Sequence, residues 1–188
     1  MSFPTRVLGR NGPRVSAVGF GTMSLAGAYG TPKSQQDQFQ VLDRAHEIGA
    51  RFWDTADVYG DSEKCIGEWF ARTGKRNDIF LATKVGFQIK DGARVECTDP
   101  TYIKEACEKS LKTLGIDTID LLYLHRIDKH TPIEASIEAM VQLKNEGKIR
   151  YLGISECSAN TLRRATAVHQ ISAYEVEYSP FCLEIENP

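Results

Sequence analysis

Arg51-Phe52-Trp53-Asp54-Thr55-Ala56-Asp57-Val58-Tyr59-Gly60 carries an apolar run into a Gly-containing turn, with a carboxylate at the end of the run and a phenol five residues further on. Two more apolar runs end on a titratable side chain. Ile79-Phe80-Leu81-Ala82-Thr83-Lys84-Val85 brings Lys84 to its end, and Ile119-Asp120-Leu121-Leu122-Tyr123-Leu124-His125 closes on His125. If these runs are neighbouring parallel strands, Asp54, Tyr59, Lys84 and His125 meet in one pocket.

Outward from these runs the chain alternates strand and helix. Near-continuous apolar segments recur every 20 to 40 residues, and between them lie amphipathic stretches. Ser34 is placed to cap a helix whose apolar positions are Phe39, Val41, Leu42, Ala45 and Ile48, with Gly49 after it. Further helices are expected over 61–70, 100–114, 133–146 and 158–168, and further strands over 149–155 and 174–178. The N-terminal part reads as a hairpin around Gly9-Arg10-Asn11-Gly12-Pro13, with Ser16–Thr22 as a buried strand behind it. Residues 88–98 read as a polar connection.

Strands apolar on both faces and separated by helices are the mark of right-handed βαβ units with a covered parallel sheet. An open Rossmann sheet and a (β/α) barrel both fit. The lone Gly19-x-Gly21 is not the GxGxxG fingerprint, since Met23-Ser24 replace the remainder, which weakens the dinucleotide-fold reading. The barrel leads, because its chemistry belongs at the strand C-termini, where Asp54, Lys84, His125, Ser155 and Glu175 fall.

The 188 residues are one domain's worth of chain, with 41% hydrophobic and 26% charged residues and a net charge of −2. That balance, with no Lys/Arg block, argues against a nucleic-acid or anionic-membrane partner. No apolar run approaches the roughly 18 residues of a membrane helix, and the first residues lack the apolar core of a signal peptide, so the expected compartment is the cytoplasm. Five cysteines form no CxxC pair and read as reduced thiols. No His/Cys spacing suggests a metal site.

The chemistry starts from Tyr59. A phenol has a reference pKa near 10 and is a poor proton donor to a carbonyl at neutral pH unless a cation helps. Lys84 at about 4 Å would contribute roughly 4 kcal/mol at an effective dielectric near 20, enough to lower the phenol's pKa. Asp54 would keep the lysine charged against burial, and His125 would hydrogen-bond a carbonyl oxygen or share a proton with Tyr59. These groups suit delivery of a proton to a carbonyl oxygen while hydride reaches its carbon. No side chain carries hydride, so a nicotinamide cofactor is implied, with Ser155, Glu156 and Glu175 placed to hold its carboxamide. Singly, Asp54 reads equally well as a cap or salt-bridge partner, Tyr59 as a turn aromatic and His125 as a satisfied buried histidine. Their shared position at run ends carries the argument.

The same residues bear a resemblance. Gly19-Phe20-Gly21-Thr22-Met23, Trp53–Gly60 with Ser62-Glu63, Ala82-Thr83-Lys84, Asp120–Arg126, Gly147–Ser155 and Glu177-Tyr178-Ser179-Pro180 make the chain resemble the aldo-keto reductases, in particular their fungal and bacterial members. The resemblance implies NADPH-dependent reduction of an aldehyde or ketone, with Tyr59 as proton donor, Lys84 lowering its pKa, Asp54 supporting Lys84 and His125 orienting the substrate. The cofactor-binding set it implies is Gly21, Thr22, Met23, Asp54, Ser155, Glu156 and Glu175. Two positions depart from the family pattern: Glu156 stands where Asn is usual after Ser155, and Glu175 where Gln contacts the carboxamide. An ionised Glu only accepts.

The resemblance also implies an eight-stranded barrel, of which residues 1–188 supply six strands as a single partial (β/α) barrel domain. Six units leave unpaired edges, so the expectation is a truncated form of a longer reductase, or a barrel completed by self-association or another chain. A non-catalytic remnant or auxiliary subunit of the same ancestry is the competing function.

Overall fold

The computed structural model describes residues 3–28, 30, 31 and 33–186. β1 (Thr5–Val7) and β2 (Arg14–Ser16) form the antiparallel N-terminal hairpin. β3 (Phe20–Gly21) follows, then α1 (Gln35–Glu47), β4 (Phe52–Asp54), α2 (Ser62–Thr73) and β5 (Phe80–Val85). A second hairpin, β6 (Phe87–Lys90) with β7 (Ala93–Glu96), leads to α3 (Pro100–Leu114). The series continues with β8 (Ile119–Leu124), α4 (Ile133–Asn145), β9 (Ile149–Ser155), α5 (Ala159–Val168) and β10 (Ala173–Glu175).

Six of these strands make one parallel sheet in the order β10-β9-β8-β5-β4-β3. It is curled with helices on its convex side, and is an incomplete (β/α) barrel. The expected six barrel strands are these. Among the described residues β3 and β10 each pair on one side only.

Local chemistry explains the boundaries. The Ser34 hydroxyl accepts the Asp37 N–H, the Asp99 carboxylate accepts those of Thr101 and Tyr102, and Ser158 accepts that of Thr161, each capping a helix start. Glycine in the left-handed conformation stops α2 at Gly74 and α3 at Gly115.

Alternation along the strands sorts the core into two faces. Trp53, Leu81, Leu122 and Leu152 join the large cluster with Trp69, Leu114 and Met140 of the helices. Ala82, Leu121, Tyr123 and Ala173, with Phe52, Phe80 and Tyr151 against them, form the smaller cluster on the concave side. The same parity puts Asp54, Lys84 and Glu175 on that concave face, one step towards the strand C-termini. The β1–β2 hairpin sits at the opposite end: Leu8 packs on the concave cluster and Gln170 donates to the Arg10 carbonyl at 2.6 Å.

Three expectations need correction. Ser16–Thr22 is not one buried strand. Ser16 ends the hairpin, Val18 is 56% exposed, and only Phe20 and Gly21 join the sheet, because β3 is an edge with a single neighbour. Residues 88–98 are largely the β6–β7 hairpin, which turns on Asp91-Gly92 with φ of 51° and 78°, the left-handed pair that a two-residue hairpin turn requires. The last strand stops at Glu175, and Val176–Tyr178 lie outside the ladder.

One buried carboxylate clamps the N-terminal ends of three strands. Asp120 of β8 accepts from the Arg76 guanidinium at 2.7 Å, the Leu81 N–H of β5 at 2.9 Å and the Arg150 guanidinium of β9 at 2.8 Å. Removing it strands a buried amide and a half-buried guanidinium. Asp120→Ala is expected to lower unfolding stability by about 3 kcal/mol, read as a lower denaturant midpoint with an unchanged slope.

Candidate active site

The C-terminal ends of the strands bring the chemistry together. Asp54 ends β4, Lys84 lies one residue before the end of β5, His125 follows β8, and Ser155 and Glu175 end β9 and β10. Tyr59 arrives on the turn after β4. That turn is tied to the neighbouring strand by the Asp57 N–H donating to the Lys84 carbonyl at 3.0 Å, and closed on itself by Tyr59 N–H to Ala56 O at 3.1 Å.

Lys84 is the centre. Its side chain is 1% exposed, its ammonium contacts Asp54 Oδ1, and it stands 3.1 Å from Glu175 Oε1 and 3.3 Å from the Thr55 carbonyl. The aromatic rings of Tyr59 and Tyr123 lie beneath it, with centroids at 5.3 and 5.8 Å. Tyr123 reaches this place by lying across Gly153 of β9, where an added Cβ would stand 2.4 Å from the ring. Burial works against the Lys84 charge, but Asp54 and Glu175 together outweigh it and hold its pKa above the ordinary lysine value. Burial also pushes the Asp54 carboxyl up, against the pull of Lys84 and with the push of Glu175.

The expectation that Lys84 lowers the Tyr59 pKa holds for that pair but not for the site. Burial, with the charges of Asp54 and Glu175, outweighs the lysine, and the phenol is held above its ordinary value. The two carboxylates in contact with the ammonium add opposing fields at the phenol, and burial adds the larger push upward.

His125 meets Tyr59 edge to face, with centroids 5.6 Å apart at 83°, and Phe87 at 5.0 Å and 73°. Its backbone N–H donates to Val85 O at 2.8 Å, alongside Gly86, whose φ of 139° and 3.3 Å clearance from that same amide admit no side chain without strain. The buried Nδ1 has no hydrogen-bond partner. Burial, then the charges of Lys84, Arg126 and Arg94, lowers the imidazole's pKa to about 4, so it is neutral near pH 7.

Residues 17–187 match the sequence profile of the Aldo/keto reductase family. The chain belongs to that family. It is 54% identical over 193 aligned residues to aldo-keto reductase str7 of Strobilurus tenacellus, and 50% identical over 192 to aldo-keto reductase yakc [NADP(+)] of Schizosaccharomyces pombe. Each alignment takes in all of this chain and 56% of the relative, so the chain spans little more than half their length. Among solved structures, aldo-keto reductase AKR11C1 from Bacillus halodurans superposes with a TM-score of 0.84 at 36% identity, over 94% of this chain and 58% of that one. The glycerol dehydrogenase AKR11B4 from Gluconobacter oxydans gives 0.85 at 29%, over 97% and 57%.

Within this aldo-keto reductase chain the expected cofactor-binding residues fare differently. Gly21 is exposed, with nothing within 4 Å of where a Cβ would stand, and Met23 is half-buried beside it. Thr22 is fully buried. Its hydroxyl donates to the Asp54 carbonyl at 2.8 Å and accepts from Ser62, whose own hydroxyl accepts from Thr55. The sequence reading gave Ser62 no role of its own, although its place at the start of α2, facing β3 and β4, makes it the pin between them. Ser155 is 3% exposed and accepts from Arg126 at 3.4 Å. Glu156, at φ 51°, turns its carboxylate to the Glu177 N–H at 2.8 Å. Glu175 faces Lys84. Phe87 escaped the sequence reading, and Asp57 had no role assigned there; Asp57 has a buried, unpartnered Oδ1, and burial followed by the Glu63 charge pushes it up to about 7.

A cavity of about 650 Å3 opens far from this cluster, near the N-terminal strand ends, lined in part by Gly74, Arg76, Thr118 and Arg150. Among the described residues no group of three or more His, Cys, Asp or Glu is arranged to hold a metal ion, and no helix is long and apolar enough to cross a membrane.

The His125 value sets a sign. Its folded pKa of about 4 lies below the unfolded reference near 6.5, so between those values the unfolded chain binds more protons. The fold's preference for neutral His125 is fully present above about pH 6.5 and is lost progressively as pH falls towards 4. The His125 C2–H NMR resonance is expected to stay at its neutral position down to about pH 5, and His125→Gln is expected to flatten the acid limb of the stability curve.

Proposed function

We propose that the chain forms the acid–base half of a carbonyl reductase site that uses NADPH, with Tyr59 giving the proton to the substrate oxygen. The observation that carries this is the convergence of Tyr59, His125 and the Asp54–Lys84 pair at the strand C-termini of a (β/α) sheet. When bound, the nicotinamide supplies the hydride. The residues present fit its nicotinamide end. Gly21 offers a bare backbone edge, and Asp54 Oδ2 and His125 Nδ1 are buried polar atoms still without partners. The name of the fission-yeast relative, which cites NADP(+), supports the choice of cofactor.

The chain's own residues divide the work. Neutral His125 donates one ring N–H to a carbonyl oxygen lying between it and Tyr59, fixing that oxygen without introducing a second charge. Tyr59 transfers its proton to the same oxygen as charge grows there. Lys84 stabilises the phenolate left behind, and Asp54 keeps the lysine protonated throughout. Phe87 and Tyr123 bound the site with rings that keep water from the reacting oxygen. The substrate is a small aldehyde or ketone.

The competing reading from the sequence is a non-catalytic form or auxiliary subunit of the same ancestry. Titrating NADPH into the purified 188-residue chain in the presence of an aromatic aldehyde separates the two. Binding with NADPH consumption that falls by a factor of about 100 or more in Tyr59→Phe supports the reductase. A folded chain that leaves NADPH unbound overturns it.

A further inference from the structure

Glu175 places a second carboxylate on Lys84. Its Oε1 is 3.1 Å from the ammonium, on the side away from β4, while Asp54 makes the first contact from β4 itself. The two acids come from opposite sides of β5 in the strand order: Asp54 from β4, which pairs with β5 directly, and Glu175 from the edge strand β10, where it pairs with Ser155 of β9. An ammonium has three donors and no acceptor. Asp54, Glu175 and the Thr55 carbonyl surround it at short range, and the Tyr59 phenol, with its ring centroid at 5.3 Å, draws on the same ammonium.

We propose that Glu175 is a positioning residue that divides Lys84 between itself and Asp54 and so weakens the ammonium's support of a Tyr59 phenolate. Its importance for catalysis rests on the reading of Tyr59 as proton donor, but the division of the lysine does not. A neutral amide of the same shape would contact Lys84 without competing for its charge. With the acid there, the phenol faces one cation, Lys84, and two anions, Asp54 and Glu175, and is kept protonated to higher pH. The other side chains around the lysine are the Tyr123 ring on β8 and His125 after it, the latter neutral near pH 7. Glu175 thereby favours the proton-donating state needed for carbonyl reduction over the phenolate needed for the reverse oxidation.

The test reads Tyr59 directly. Its ionisation is followed in the 188-residue chain by the ultraviolet tyrosinate band, as the difference between the chain and its Tyr59→Phe variant, with and without Glu175→Gln. The midpoint of Tyr59 is expected to fall by roughly one pH unit in Glu175→Gln. An unmoved midpoint overturns the proposal. Where Glu175→Gln does not fold, Glu175→Asp gives the reading: withdrawing the carboxylate by one methylene is expected to lower the midpoint by a smaller step, and no step overturns it. If the chain reduces aldehydes, the alkaline limb of kcat is expected to move down with the midpoint. A change confined to KM for NADPH, with the limb fixed, overturns the proposal by making Glu175 a cofactor contact alone. Absence of reductase activity counts against the proposed function, and the phenol titration still decides this inference.

Discussion

The ammonium of Lys84 is the constraint on which the C-terminal end of the sheet depends. A charge with 1% of its side chain exposed is expensive unless it is paired and hydrogen-bonded, and each partner here comes from a different piece of chain: Asp54 from β4, Thr55 from the turn after it, and Glu175 from β10. Losing the register of either strand would take a carboxylate from the buried ammonium. The ion pair therefore acts less as a source of net stability than as a condition on which arrangements of the strands are tolerable. Tyr123, pressed across Gly153, and Tyr59, on a turn bonded back to the Lys84 carbonyl, complete the walls around it.

The opposite end of the sheet meets a similar demand with the sign reversed. There the buried charge is the carboxylate of Asp120, satisfied by two guanidinium groups and one backbone amide. Between these polar ends the strands are apolar on both faces, with Trp53, Leu81 and Leu122 against the helices and Ala82, Leu121 and Tyr123 on the concave side. The sheet is thus pinned at both ends by groups that cannot be left unpaired, and filled in the middle by groups indifferent to direction. The chemistry proposed above uses the end where the pinning charge is positive, since a cation there can stabilise a phenolate during proton transfer.

The pKa directions follow from how that cation is shared. A Tyr–Lys pair considered alone gives a depressed phenol, and that is the reading a sequence supports. Burial of the phenol, joined by the charges of Asp54 and Glu175, reverses the net direction, because a further negative charge is poorly solvated there and faces two anions beside one cation. His125 shows the complementary effect: burial and the nearby cations hold it neutral, so it can donate a hydrogen bond without carrying charge.

Much of the architecture was legible in the sequence because it is periodic. The helices beginning after Ser34, Asp99 and Ser158, the strands around Leu81, Leu122 and Leu152, and the arrival of Asp54, Lys84, His125 and Glu175 at strand ends all follow from local spacing and caps. Asp91-Gly92 was a hairpin signal that polar neighbours concealed, and the segment 16–22 looked like a whole strand because nothing local marks it as an edge with one partner. By itself the sequence determined which residue types stand at the strand ends, because strand period and helix caps are properties of a few consecutive residues. Only the tertiary structure decided how they share their interactions: that Glu175 turns to Lys84, that Thr22 is spent on Asp54 and Ser62, and that Tyr59 is not the lysine's chief partner. Electrostatic sharing depends on distances between segments remote in the chain, and no local pattern encodes those distances.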